Sequence, residues 1–281
     1  MDKMDKMDNN IRRKRFEGQV AWISGATKGI GAAAALLFSR EGAKVAVIGR
    51  NSDDGRNVTN RIKQENGDAL FIPCEMTCEN DVKNSIEETV KTFGKLNILI
   101  NNAGIVDIKM LHEYTVDEWR KVFDTNVTSM FLAFKYAFLH LSANPKSYVV
   151  NVGSISSFVG QDSTPAYTAS KGAVLQLSRS IGLDYARYGI RSNCICPGIT
   201  DTPMLHQHLD MNPNPTEHLR NRLRRVPSGA ILTPFDIAKS ILYFSCEDSC
   251  GITATSLIVD GGYLAAAEWD CATYNQEIKY N

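Results

Sequence analysis

Seven short apolar runs punctuate the chain, at 20–24, 44–49, 69–74, 97–101, 148–152, 191–196 and 256–259. Near-continuous runs of Val, Ile and Leu, without strict alternation, predict strands buried on both faces. Between them lie longer stretches of mixed polarity, at 30–41, 55–65, 79–93, 116–142, 165–188 and 234–245. These predict helices. Strand-helix alternation requires right-handed crossovers and so a parallel sheet. The pattern runs from Val20 to Val259 without a break in composition. It predicts one α/β domain over 16–262, a doubly wound parallel seven-stranded sheet.

The two ends depart from this pattern. Residues 1–15 are polar and charged, with no apolar signal core, and read as a flexible leader. The Arg12-Arg13-Lys14-Arg15 cluster reads as a solvated part of it. The tail, 263–281, holds Tyr263, Leu264 and Trp269, which are too apolar for an idle segment. It is expected to pack at a subunit interface.

Composition narrows the function. With 281 residues, 43% hydrophobic and 22% charged, the chain can bury a full core. Thirty-one Lys and Arg balance thirty-one Asp and Glu. Zero net charge argues against a general nucleic-acid or anionic-membrane surface. No apolar run reaches the ~18–20 residues that would span a bilayer. The seven cysteines form no Cys-x-x-Cys pair, and the five histidines show no ligand pattern, so no metal is expected. A reducing, cytoplasmic setting follows.

Chemistry concentrates in 151–171, NVGSISSFVGQDSTPAYTASK. Tyr167 and Lys171 are four apart, which on a helix places them on one face, about 5–6 Å apart at Cβ. A cation within ~4–6 Å favours the phenolate and draws its pKa down toward working pH. Ser154, thirteen residues upstream of Tyr167, can hold an oxygen beside that phenol. A Tyr-x-x-x-Lys spacing also occurs by accident on any helix, so the other motifs must decide.

The first strand runs into Ser24-Gly25-Ala26-Thr27-Lys28-Gly29-Ile30-Gly31 and then a helix. Glycines 25, 29 and 31 permit a tight turn and close approach of a pyrophosphate to a helix N-terminus. Thr27, Lys28 and Ile30 lie in the same turn. An acid at the end of the second strand would bind the ribose 2′-hydroxyl of NAD. Here Gly49 occupies that place, followed by Arg50 and Asn51. With Lys28 on the same side, Arg50 favours the 2′-phosphate of NADP. NAD is the alternative, with Arg50 then a solvated loop residue. After the third strand, Glu75 can accept from the adenine amino group, with Met76 beside it. Asn102, Ala103 and Gly104 close the fourth strand with small residues and an amide, suited equally to a ligand or a turn.

In this order the motifs resemble the short-chain dehydrogenase/reductase family over essentially 16–263. They are Ser24-Gly25-x-x-x-Gly29-x-Gly31, Asn101-Asn102-Ala103-Gly104, Asn126 in Asp124-Thr125-Asn126-Val127, the Ser154/Tyr167/Lys171 set, and Pro197-Gly198 with Thr202. Ser24 stands where the family usually has threonine, and Gly153 where a serine often precedes the catalytic one. Ser156 and Ser157 compete with Ser154, but the spacing to Tyr167 favours Ser154.

The resemblance implies a Rossmann-type fold and reversible hydride transfer between NAD(P) and a small-molecule alcohol or ketone. It implies Tyr167 as general acid/base, with Lys171 lowering its pKa and holding the nicotinamide ribose. Ser154 would bond the substrate oxygen, and Asn126 a water that relays protons from Lys171. Pro197, Gly198, Ile199 and Thr202 would contact the nicotinamide. A homotetramer or homodimer is implied, joined through 116–142 and 165–188. The 203–227 segment, broken at Asn212-Pro213-Asn214-Pro215, reads as a mobile lid with helical character at 216–225. Its Met204, Leu205, Leu209 and Met211 suit either a substrate or the core. Its arginines, Arg220, Arg222, Arg224 and Arg225, read as a solvated helix face ahead of an anion site.

Overall fold

β1 (Val20–Ser24) is buried at all five positions, and the sheet extends outward from it on both sides. The computed structural model describes residues 14–266. Its elements run α1 (Gly29–Arg40), β2 (Lys44–Gly49), α2 (Ser52–Gln64), β3 (Ala69–Pro73), α3 (Glu79–Phe93) and β4 (Ile98–Asn101). Then come α4 (Val116–Phe123), α5 (Ser129–Ser142), β5 (Ser147–Val152), α6 (Pro165–Asp184) and β6 (Ile190–Pro197). The last are α7 (Pro203–Asp210), α8 (Pro215–Leu223), α9 (Pro234–Phe244) and β7 (Ser256–Val259). All pairs are parallel, in the order β3-β2-β1-β4-β5-β6-β7.

The pleat explains the unbroken apolar runs. Ala21 and Ile23 point into one core layer, against α1, α2 and α9. Trp22 points into the other, against α3, α5 and α6. A strand covered on both faces has no polar side, and each large side chain so buried contributes about 1.5–3 kcal/mol. Trp22 also donates its indole N–H to Ser85 at 3.2 Å, so the ring buries no unpaired polar group.

Strand order reverses between β2 and β4 on either side of β1, which opens a crevice at the carboxyl ends. The loops there are tied across the opening. Asn102 Nδ2 donates to the carbonyls of Ser24 and Gly25 at 3.0 and 3.1 Å. Ser24 Oγ accepts from the Asn102 and Ala103 amides at 3.0 and 3.1 Å.

Three elements differ from expectation. The helix predicted over 116–142 is divided by a π turn at Asp124–Thr128, which carries Asn126. The wide turn aims that side chain inward, a placement π bulges often serve at functional sites. The second helix starts at Ser52, ahead of 55, because Asn51 caps it and accepts from the Asp53 and Asp54 amides at 3.0 Å. The 203–227 segment holds two helices, α7 as well as α8, bracketing the predicted break.

At the ends, Phe16 is fully buried and Arg15 pairs with Glu41 at 3.1 Å. Tyr263 and Leu264 lie in a short turn, with Tyr263 packed on the lid. The leader through Arg13, and Trp269 with the rest of the tail, lie outside the described residues.

Candidate active site

The β1–α1 turn takes its shape from its glycines. Gly25 and Gly29 have φ of +62° and +54°, the left-handed region that other residues rarely occupy. A Cβ on Gly31 would stand 2.4 Å from the Gly25 carbonyl oxygen. Lys28 precedes α1 without a side-chain cap, which leaves the amides at the helix N-terminus open to an anion. That cradle fits a pyrophosphate.

From the turn, a cavity of about 310 Å³ extends under the ends of β4, β5 and β6, roofed by α7 and α8. It contains Ser154, Tyr167, Lys171, Gly104 and Ile199 together. Pro165 starts α6, and Ala166, Ser170 and Lys171 form its buried face. Tyr167, near the first turn, therefore projects into the crevice. Its phenol faces the same cavity as the Ser154 hydroxyl, which acts to lower its pKa. Ser154 Oγ accepts from the Ser156 amide at 3.1 Å, while Ser157 Oγ donates to the Lys171 carbonyl at 2.8 Å. Ser154 is thus the serine that faces Tyr167. Ser156 donates to Gln161 Oε1 at 2.8 Å, and Ser157 braces α6.

One electrostatic expectation is corrected. Burial pushes the Tyr167 phenol above its ordinary value, offset only in part by the nearby Ser154 hydroxyl and the Arg222 charge. Lys171 is not among the groups that lower it. Its ammonium donates to the Val152 carbonyl at 2.7 Å and lies 5.6 Å from the centre of the Tyr167 ring. Burial brings Lys171 itself down to about 8.

Asn126 is beside this pair. A Cβ on Gly104 would come within 3.3 Å of its Oδ1 and 3.4 Å of Lys171 Nζ. Its Oδ1 accepts from the Ile105 amide at 2.8 Å, and Nδ2 donates to the Ile105 carbonyl and Ser170 Oγ at 3.0 and 2.9 Å. Both amide hydrogens are committed, so the side chain fixes the loop after β4.

The expected cofactor positions divide into two groups. Gly25, Lys28, Gly29, Ile30, Asn102, Ala103, Gly104, Pro197, Gly198, Ile199 and Thr202 line the cavity. Thr27, Gly31, Arg50, Asn51, Glu75 and Met76 do not. Arg50 and Asn51 follow β2, and Glu75 and Met76 follow β3, across β1 from the catalytic wall. Arg50 pairs with Glu75 at 3.4 Å and Lys28 with Asp54 at 2.9 Å. Met76 is buried against Cys74 in the core.

Gln161 and His208 line the cavity unforeseen, as does Arg222, one of the lid arginines expected on a solvated face ahead of an anion site. Gln161 carried no signal. Arg222 did: it lies three residues after Leu219 and next to Leu223, the two buried positions of α8, and so shares their face. Lid apolars divide as well. Leu205 and Leu209 are buried in the lid's own cluster, Met204 lines the cavity, and Met211 is exposed.

A family model described as enoyl-(acyl carrier protein) reductase matches residues 25–264. The chain belongs to the short-chain dehydrogenase/reductase family. An uncharacterized oxidoreductase of Thermotoga maritima is 36% identical over 250 residues, 89% of this chain and 99% of that one. The cis-4-hydroxycyclohexanecarboxylate dehydrogenase of Sinomonas cyclohexanicum is 35% identical over 251 residues, 89% and 98% of the two chains. The crystal structure of levodione reductase superposes with a TM-score of 0.87 at 28% identity, covering 90% of this chain and 100% of that one. As a short-chain dehydrogenase/reductase, this protein is an oxidoreductase that moves hydride between a nicotinamide cofactor and a carbonyl or secondary alcohol. No helix among the described residues is long and apolar enough to cross a membrane.

Proposed function

We propose that Tyr167 is the general acid/base of this reaction, with Ser154 and Lys171 as its partners. The observation that carries the reading is the convergence of the Ser154 and Tyr167 hydroxyls on one cavity, with Lys171 Nζ 5.6 Å from the Tyr167 ring. The nicotinamide supplies or accepts the hydride when bound. In the reducing direction Ser154 holds the carbonyl oxygen and Tyr167 delivers its proton there. Lys171, released from the Val152 carbonyl, turns toward the ribose and the phenol. Asn126 keeps the loop after β4 in place beneath them. Ile199 and Thr202 set the nicotinamide end, and α7 and α8 form the substrate lid over 203–227.

NADP is the preferred cofactor in this reading. Gly49 leaves no carboxylate at the ribose, since a Cβ there would meet Thr27 Cγ2 at 2.6 Å. Arg50 and Lys28 stand nearby, each already paired with an acid. A 2′-phosphate must share or displace those acids, so the preference over NAD is modest. The exposed Phe131 and Leu139 on α5 and Leu183 on α6 support pairing of these helices with a second copy, as in a homodimer or homotetramer. Free thiols on Cys74, Cys194, Cys196 and Cys246 support a cytoplasmic setting.

The test is a panel of ketones and secondary alcohols followed at the reduced-nicotinamide absorbance with both cofactors. Tyr167→Phe is expected to lower kcat by at least about 10²–10⁴-fold while retaining cofactor binding. Near-normal turnover would remove Tyr167 from the mechanism. A preference for NADPH that survives Arg50→Ala would remove Arg50 from cofactor choice.

A further inference from the structure

Three charged side chains line the cavity, Lys28, Lys171 and Arg222, and all are cations. Two have partners within the fold. Lys28 is 2.9 Å from Asp54, and Lys171 donates to the Val152 carbonyl at 2.7 Å. Arg222 differs. Among the described residues, its Nη1 is buried and has no hydrogen-bond acceptor. The groups that feel its charge are Tyr167, Tyr263 and His208, and none is a carboxylate.

An arginine cannot escape this position by giving up its charge. A buried N–H without an acceptor costs stability, and nearly all such groups in folded proteins find a partner. The neighbouring lid arginines show what the alternative looks like: Arg220, Arg224 and Arg225 are exposed, while Arg222 faces inward. Its place in the cavity also separates it from the cofactor turn. Lys28 stands at the α1 end, whereas Arg222 comes down from the lid toward Tyr167 and Ser154. Ile155, Met204 and Leu205 supply apolar wall in the same cavity. His208, held neutral by burial and by the Arg222 charge, adds a hydrogen-bonding edge without a second charge.

We propose that Arg222 is the residue that recognises the substrate, and that the substrate is an oxo acid or hydroxy acid. The planar guanidinium fork pairs two N–H groups with a carboxylate. The carboxylate completes the unpaired Nη1, the apolar wall holds the carbon skeleton, and the reacting oxygen reaches Ser154 and Tyr167. This rests on the assignment of Ser154 and Tyr167 to the reacting oxygen. It adds the class of molecule and the residue that selects it.

The experiment compares oxo acids of increasing carbon spacing with their primary amides, in the presence of NADPH and of NADH. At the best spacing, wild type is expected to favour the acid over its amide by about 10²-fold in kcat/KM, the scale of a buried charge pair left without one partner. Arg222→Gln is expected to collapse that ratio toward one, and Arg222→Lys to restore part of it. Arg224→Gln, on the exposed side of the lid, is expected to keep the ratio. Because the readout is a ratio, general damage to the lid cancels. No preference for any acid in wild type, or a preference that survives Arg222→Gln, overturns the proposal. Calorimetric titration of acid and amide into cofactor-loaded Tyr167→Phe separates the two assignments. If acid binding stays favoured while turnover is normal, the catalytic role of Tyr167 fails and substrate recognition by Arg222 stands. If neither ligand is favoured, Arg222 fails by itself.

Discussion

The sheet side and the lid side of the cavity differ in how their polar groups are settled. On the sheet side, Asn151 donates to Ser178 and Ser192, Asn101 donates to Asn151, and Lys171 donates to Val152. These bonds are buried and join β4, β5, β6 and α6. The lid is held by a separate small cluster, Ile199, Leu205, Leu209, Leu219, Leu223 and Val226. Among the described residues, Nη1 of its inward cation has no acceptor. Proton transfer needs groups fixed to about half an ångström, which a bonded sheet edge supplies. Substrate admission needs a unit that opens at small cost, which a small independent cluster supplies. The same cavity therefore has a stiff wall for chemistry and a loose one for selection.

The sharpest test of that division compares two leucines. Leu99→Ala, in a fully buried strand position, is expected to cost about 2–5 kcal/mol of global stability by chemical denaturation. Leu223→Ala is equally buried by class, yet should leave the global midpoint nearly in place. Its effect should show as faster hydrogen exchange in α7 and α8 and a raised KM. Equal losses of global stability would make the lid part of the cooperative core.

Lys171 tests the stiff wall by pH. Burial draws its pKa from 10.5 to about 8, among Cys194, Cys196 and Tyr167. Between those values the unfolded chain holds a proton that the folded chain has released, so this group's contribution to stability rises with pH across that window. Below about 8 the folded protein carries a buried ammonium at a cost of about 3 kcal/mol. Relative to Lys171→Met, wild type should gain stability between pH 7 and pH 10 by an amount of that order. A constant difference across the range would show that the ammonium is solvated.

Gly31→Ala is expected to cost less stability than Leu99→Ala. The new methyl meets the Gly25 carbonyl at 2.4 Å and Asn102 Nδ2 at 2.6 Å. Relief by backbone shift should cost about 1–3 kcal/mol. Cofactor affinity, read by fluorescence titration, should fall more than the affinity for an oxo acid. Unchanged cofactor affinity would show that the turn has slack.

Much of the sheet was legible because a strand covered on both faces must be apolar throughout. β1, β2 and nearly all of β4 lie where the apolar runs predicted them. The π turn was not legible, since 116–142 keeps its helical composition straight through Asn126 and one wider turn leaves no mark on polarity. The start of α2 was legible in principle: Asn51 followed by Ser52, Asp53 and Asp54 is a capping signal. Tyr167, Ser154 and Lys171 were found by spacing, and the structure brings them into one cavity. The direction of the Tyr167 shift was missed because sequence shows a neighbouring charge and hides burial. Arg222 groups by composition with its exposed neighbours, although it alone of the lid arginines lies three residues after the buried Leu219, on the inward face of α8.

Gly153 has a bearing on how this site can change over time. A Cβ there would stand 2.8 Å from Cys194 Sγ, 3.0 Å from Ser157 Oγ and 3.1 Å from Cys196 Sγ. The two thiols, 3.7 Å apart, occupy the space that a serine at 153 would need. The glycine and the cysteine pair are thus one steric unit. A lineage that acquires serine at 153 must first trim position 194 or 196, and the reverse order passes through a crowded intermediate. The floor of the site constrains the sequence of its own substitutions as firmly as it supports Ser154.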